Sequence, residues 1–246
     1  MGRDLITLIL KPLPSAFLHP ITQTECKIRQ EEVKLSNNGC KLYLITPEIM
    51  EPNVFSAHLA AAIDAGNVAC VQLRVKNASR DWLARTIEIL RPTVQDRDVA
   101  FILNDDPELA SNTGCDGVHV GQSDTSYEKT RALVGKDAIV GVTCLDSIDL
   151  AMRAAEQGAN YVAFGAFFET KTKISKGQPS SDILTTWNTI TTIPCVAIGG
   201  IRPENCATLV SAGAHFLAVV SAVWDHPLGP SAAIKEFNQI IQSSEN

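Results

Sequence analysis

Eight short apolar runs alternate with helix-like segments from Lys41 onward, and this beat predicts an α/β fold built on a parallel sheet. Two further observations narrow the class to a small (β/α)8 TIM barrel with an N-terminal extension. Eight strand–helix units fit into about 200 residues, the length such a barrel needs. The first run is not followed by Gly-x-Gly-x-x-Gly, the turn with which an open doubly wound sheet announces a dinucleotide site.

Strands are expected at 42–45, 69–73, 99–103, 117–120, 138–142, 161–165, 194–198 and 216–220. Val68, Ala69, Cys70 and Val71 are apolar at consecutive positions, as in a parallel strand buried on both faces. Among the connecting helices, 56–64 is alanine-rich, and 81–94 carries Leu83, Ile87 and Leu90 at helical spacing. The helix at 147–156 starts from a serine in cap position, and 203–211 opens with Pro203, which the first turn tolerates. Gly66, Gly114, Gly158 and Gly213 each stand between a helix pattern and the next strand, where the left-handed ending of a helix favours glycine. Punctuation accounts for these glycines without any chemistry. Residues 1–39 differ: Pro12, Pro14 and Pro20 precede a polar stretch without a clean apolar period. They read as a loosely ordered arm, with the barrel domain over 40–246.

A net charge of −6 argues against a general nucleic-acid binder, so any anion site must be local. The seven cysteines (26, 40, 70, 115, 144, 195, 206) are odd in number, contain no Cys-x-x-Cys and lie in or beside apolar runs. They read as buried free thiols of a reducing compartment. The apolar run 5–10 is too short to span a membrane, and a cytoplasmic location is expected.

In such a barrel the chemistry stands at the C-terminal strand ends. Strand two ends in Gln72, Arg74 and Lys76 at alternate positions, expected on one face of the extended chain. Strand three ends in Asn104-Asp105-Asp106, strand four in His119 and then Asp124, and strand five in Thr143. Thr170, Thr172 and Lys173 follow strand six, Gly199-Gly200 follow strand seven, and Val220-Ser221 follow strand eight. The glycine pair and a short helix starting at Ser221 suit a monophosphate, since glycine lets backbone N–H groups approach and a helix N-terminus adds positive potential. A tight turn would also explain the pair.

Arg74, Lys76 and Lys173 are expected to form a second cluster of positive charge. Asp105 and Asp124 beside an anion would repel it unless a cation lay between, and Mg²⁺ binds through one or two carboxylates plus substrate phosphates. The alternative is that they cap the helices that follow, with Asp105 or Asp106 before Pro107. His119 sits inside an apolar strand and reads as a core or hydrogen-bonding histidine rather than a base, and it is expected among the substrate-binding residues. No activated nucleophile is evident. A metal-bound diphosphate leaving group and a monophosphate across the mouth imply two substrates.

The motifs Val-Gln-Leu-Arg-Val-Lys (71–76), Ile-Leu-Asn-Asp (102–105), Asp-Gly-Val-His-Val-Gly-Gln-Ser-Asp (116–124), Val-Gly-Val-Thr (140–143), Thr-Lys-Thr-Lys (170–173), Val-Ala-Ile-Gly-Gly-Ile (196–201) and Val-Val-Ser-Ala (219–222) resemble the thiamine-phosphate synthase family. The resemblance covers residues 41–224 in consistent order and omits the arm. It implies a Mg²⁺-dependent transferase that joins a hydroxymethylpyrimidine diphosphate to a thiazole phosphate by a dissociative route. By matching position, it implies that Gln72 touches the pyrimidine, and that Arg74, Lys76, Asn104, Thr143 and Lys173 hold the diphosphate. Asp105 and Asp124 would bind Mg²⁺, while Thr170, Thr172, Gly200, Val220 and Ser221 would hold the thiazole phosphate. The expected partners are these small molecules, with no nucleic acid or membrane and with a homo-oligomer left open.

Some positions depart from the family pattern. Thr143 replaces a common serine, Leu145 a common histidine, Asp106 a frequent arginine, and Ala166 and Glu169 prolines. Asp106 and Glu169 add negative charge near an anion site and are expected to weaken binding modestly and salt-dependently. A thiazole-phosphate tautomerase-like isomerase and a non-catalytic precursor-binding protein are the alternatives. The polar stretch 170–178 is expected to act as a lid.

Overall fold

The computed structural model describes residues 39–169 and 179–245. Its strands β1 (Lys41–Ile45), β2 (Val68–Leu73), β3 (Ala100–Asn104), β4 (Gly117–Val120), β5 (Ile139–Leu145), β6 (Tyr161–Gly165), β7 (Cys195–Ile198) and β8 (Phe216–Val219) form one closed barrel in sequence order. Every pairing is parallel, including β8 with β1. The connecting helices are α1 (Pro52–Asp64), α2 (Arg80–Gln95), α3 (Pro107–Thr113), α4 (Tyr127–Val134), α5 (Ile148–Gln157), α6 (Asp182–Ile190) and α7 (Pro203–Ser211), followed by the single turn α8 (Ser221–Trp224) and α9 (Pro230–Ser244). The expected arm lies outside the described residues except for Gly39, as do the stretch 170–178 and Cys26.

Strand alternation splits the buried apolar residues in two. Leu42, Leu44, Val71, Leu73, Phe101 and Leu103 face the helices in the larger cluster. Tyr43, Ile45, Cys70, Ile102, Tyr161 and Phe216 fill the barrel interior. This is why both faces of each strand read as apolar. The four glycine stops hold: Gly66, Gly114, Gly158 and Gly213 all have positive φ, at 110°, 72°, 97° and 93°.

Beyond shifts of about a residue at several ends, three local features differ from expectation. Helix α1 begins at Pro52, four residues early, because the Glu51 carboxylate accepts from the Asn53 and Val54 N–H groups and caps it. Strand β2 ends at Leu73, so Arg74 and Lys76 belong to the loop, and the shared strand face expected for them with Gln72 does not form. Strand β5 runs on to Leu145 through an irregularity beside Thr143, which therefore lies within the strand.

The described cysteines are free, and Cys115 is the one not fully buried. Burial pushes the Cys144 and Cys195 thiols up to about 12 and Cys115 and Cys206 up to about 11, so they stay protonated and inert. Under the barrel, the Cys195 N–H donates to His215 Nδ1 at 3.3 Å, and burial pushes that imidazole down to about 4.

Candidate active site

The upper interior of the barrel holds a chain of hydrogen-bonded side chains from five strands. Gln72, 3% exposed, points inward from β2 with the parity of Cys70. Its Nε2 donates to Tyr43 Oη on β1 at 2.9 Å, and the Tyr43 and Tyr161 hydroxyls lie 2.8 Å apart. Tyr161 Oη on β6 is 2.9 Å from His119 Nδ1 on β4, and His119 Nε2 is 2.7 Å from Thr143 Oγ1 on β5. The His119 ring stacks on Tyr161 at 5.6 Å between centroids, and Tyr43 meets Tyr161 edge-on at 5.9 Å. Burial holds both phenols well above their ordinary range, so they remain protonated donors. Gly141 makes room for this stack: a Cβ there would lie 1.9 Å from Tyr161 Cζ.

The turn after β3 sorts its two aspartates by role. Asp106 is the N-cap of α3, its Oδ1 accepting from the Leu109 N–H at 2.9 Å. Its other oxygen pairs with Arg80 Nε at 2.7 Å. The negative charge expected to weaken anion binding is thus paired with a helix N-terminus and a guanidinium. Asp105 has a left-handed backbone (φ 65°), pinned by its N–H to the His119 carbonyl at 2.8 Å. That conformation turns its carboxylate to Lys76 Nζ, 3.1 Å away, and into hydrogen-bond reach of Asp124. Asp124 is held by the Gly121 N–H at 2.8 Å. Burial and then the Asp124 contact raise the Asp105 carboxyl, against the pull of Lys76.

Arg74 is half-buried, and its N–H donates to Thr46 Oγ1 at 3.0 Å, which directs the chain as it leaves β2. Asn104 closes β3 opposite His119 in the register. On the other side of the mouth, Gly199 and Gly200 have φ of 103° and 63°. The backbone at 166–169 crosses directly over them: a Cβ on Gly200 would lie 2.3 Å from the Glu169 carbonyl oxygen. Close packing therefore demands glycine there independently of any ligand. Val220 is the N-cap of α8, and the N–H groups of Ser221 and Ala222 open that turn without intrahelical acceptors. Trp224 anchors it, donating from Nε1 to the Ile45 carbonyl at 2.7 Å and packing edge-on against Phe55.

The structure thus brings Gln72, His119 and Thr143 into one chain and Lys76, Asp105 and Asp124 into one cluster, with Gly200, Val220 and Ser221 at the ends of β7 and β8. Thr170, Thr172, Lys173 and the expected lid lie outside the described residues. Sequence reasoning missed Tyr43 and Tyr161, which read as core, and Arg80. Following inward parity through all eight strands would have grouped the tyrosines with Gln72 and His119.

Among the described residues no group of three His, Cys, Asp or Glu side chains could enclose a metal. Two adjoining carboxylates, one raised by burial and then by the other, do fit a hard cation that completes its shell from phosphate oxygens and water.

A closed parallel barrel with paired carboxylates, a lysine and a buried polar chain at its C-terminal mouth is the framework of a TIM-barrel enzyme. The family model described as thiamine monophosphate synthase matches residues 42–223, and the chain belongs to that family. The chain is 60% identical over 203 residues to the thiamine-phosphate synthase of Rhodospirillum centenum, covering 82% of this chain and 98% of the relative. It is 44% identical to that of Hyphomonas neptunium, covering 82% and 94%. Among solved structures, a thiamine phosphate pyrophosphorylase from Pyrococcus furiosus superposes with a TM-score of 0.72 at 28% identity, covering 85% of this chain and 98% of the other.

Proposed function

We infer that this chain is a transferase of thiamine biosynthesis, condensing 4-amino-2-methyl-5-hydroxymethylpyrimidine diphosphate with thiazole phosphate to give thiamine phosphate and diphosphate. The observation that carries this is 60% identity to a synthase along nearly its whole length. The relatives named above are synthases, which leaves the isomerase and binding-protein alternatives without support.

We assign the roles as follows. Gln72 contacts the pyrimidine at the floor of the mouth, beside His119. Arg74, Lys76, Asn104, Thr143 and Lys173 hold the diphosphate. Asp105 and Asp124 hold Mg²⁺, which when bound neutralises the charge of the leaving diphosphate. Lys76, resting on Asp105 at 3.1 Å, is within a side-chain rotation of the same anion. Thr170, Thr172, Gly200, Val220 and Ser221 hold the thiazole phosphate across the mouth. The C–O bond to the diphosphate breaks first, the aromatic pyrimidine carries the methylene cation, and the thiazole nitrogen captures it. No protein nucleophile is required; the residues orient two anions and stabilise the one that departs.

The test is turnover of both substrates by the purified chain with Mg²⁺. Diphosphate and thiamine phosphate should appear together, and folded protein without product would refute the reading. Asp124→Ala should abolish the response to added Mg²⁺; an unchanged response removes Asp124 from the metal site.

A further inference from the structure

We propose that Tyr161 is a positioning residue for the reaction: acting through His119, it sets the direction of the buried hydrogen-bond chain so that the Thr143 hydroxyl keeps its own proton for the leaving diphosphate. This rests on the reading of Thr143 as a diphosphate contact.

The direction follows from counting protons. An amide NH₂ can only donate, so Tyr43 Oη accepts from Gln72 at 2.9 Å. The Tyr43 proton then goes to Tyr161 Oη at 2.8 Å, and the Tyr161 proton to His119 Nδ1 at 2.9 Å. An imidazole that accepts at Nδ1 carries its proton on Nε2, which donates to Thr143 Oγ1 at 2.7 Å. Thr143, half-exposed at the mouth, is left with an O–H to give outward. In the reverse direction Tyr43 Oη would receive two protons and, among the described residues, find only the weak Cys70 sulfur for its own, in a site 3% exposed. Buried hydroxyls left without an acceptor are costly, so the first direction prevails. Run that way, the chain makes Thr143 a donor aimed at an anion; run in reverse, it would make Thr143 an acceptor and turn a lone pair on the diphosphate.

The measurement is a long-range ¹H–¹⁵N correlation spectrum of the whole chain labelled on histidine, with the His119 signals assigned by their loss in His119→Gln. His119 should be protonated on Nε2 alone. A ring carrying a proton on Nδ1, alone or together with Nε2, overturns the proposal. Tyr43→Phe, which leaves the Tyr161–His119 link in place, should retain the Nε2–H form, whereas Tyr161→Phe should not retain it exclusively. In kinetics, Tyr161→Phe and Thr143→Val should each lower kcat by about tenfold, the worth of one hydrogen bond to a charged group. KM for the thiazole phosphate should stay constant, and the double variant should lose no more than either single one. Multiplying losses in the double variant would overturn the proposal. Absence of turnover in the unsubstituted chain would instead refute the reaction on which it rests, and the tautomer measurement separates the two failures.

Discussion

Gly141→Ala puts the packing of the catalytic interior to a direct test. The added Cβ would lie 1.9 Å from Tyr161 Cζ and 2.3 Å from its hydroxyl, whereas ordinary contact begins at 3.4 Å. The ring must therefore move by about 1.5 Å, 3.4 minus 1.9, in a place where Tyr161 is only 1% exposed and packed on His119 and Tyr43. Gly141 has no positive φ, so a glycine-to-alanine change here would otherwise be neutral or mildly stabilising. Overpacking of this kind costs about 1–3 kcal/mol. Displacing the Tyr161 hydroxyl breaks two bonds, to Tyr43 and His119, at about 1–3 kcal/mol for each buried group left unpaired. The expected loss is therefore at least about 3 kcal/mol, out of a total stability of about 5–15 kcal/mol. The melting temperature should fall by roughly 10 °C. Urea unfolding followed by circular dichroism measures it. Gly141→Ala combined with Tyr161→Leu should be more stable than the two single losses added together, because the smaller side chain relieves the clash. A loss under about 1 kcal/mol for Gly141→Ala, or strict additivity in the pair, would refute the reasoning.

Three further outcomes are expected. Asp106→Ala should destabilise by about 1 kcal/mol through the lost cap of α3, the exposed Arg80 pair adding little; an unchanged urea midpoint would refute the capping role. Arg74→Ala should raise KM for the pyrimidine diphosphate by about tenfold and leave KM for the thiazole phosphate unchanged; equal rises in steady-state kinetics would refute its assignment to the leaving group. The His215 imidazole sits at about 4 in the folded chain against 6.5 unfolded, so the unfolded state takes up the proton first as pH falls. Its contribution is intact above pH 6.5 and is lost progressively down to about 4, by at most about 3 kcal/mol and less to the extent that the ring touches solvent. His215→Asn should flatten this limb in unfolding measurements at pH 7 and pH 4.5, and an unaltered limb would refute it.

The order of strands, the glycine helix stops and the strand-end residues were readable from the chain because each depends on local periods and on conformations open chiefly to glycine. The barrel followed from eight such units, and the family from motifs at the strand ends. The division of labour between Asp105 and Asp106 was not readable. Adjacent carboxylates look alike in sequence, and only the left-handed turn at Asp105 and the approach of Arg80 from α2 decide which one caps and which one faces the mouth. Tyr43 and Tyr161 lie 118 positions apart and were indistinguishable from core until closure of the barrel set their hydroxyls 2.8 Å from each other. The chain by itself determined which residues stand at the strand ends, since that needs only local alternation. Tertiary structure alone decided which of them touch, because hydrogen-bond partners are chosen by barrel closure, register and the space that Gly141 leaves empty.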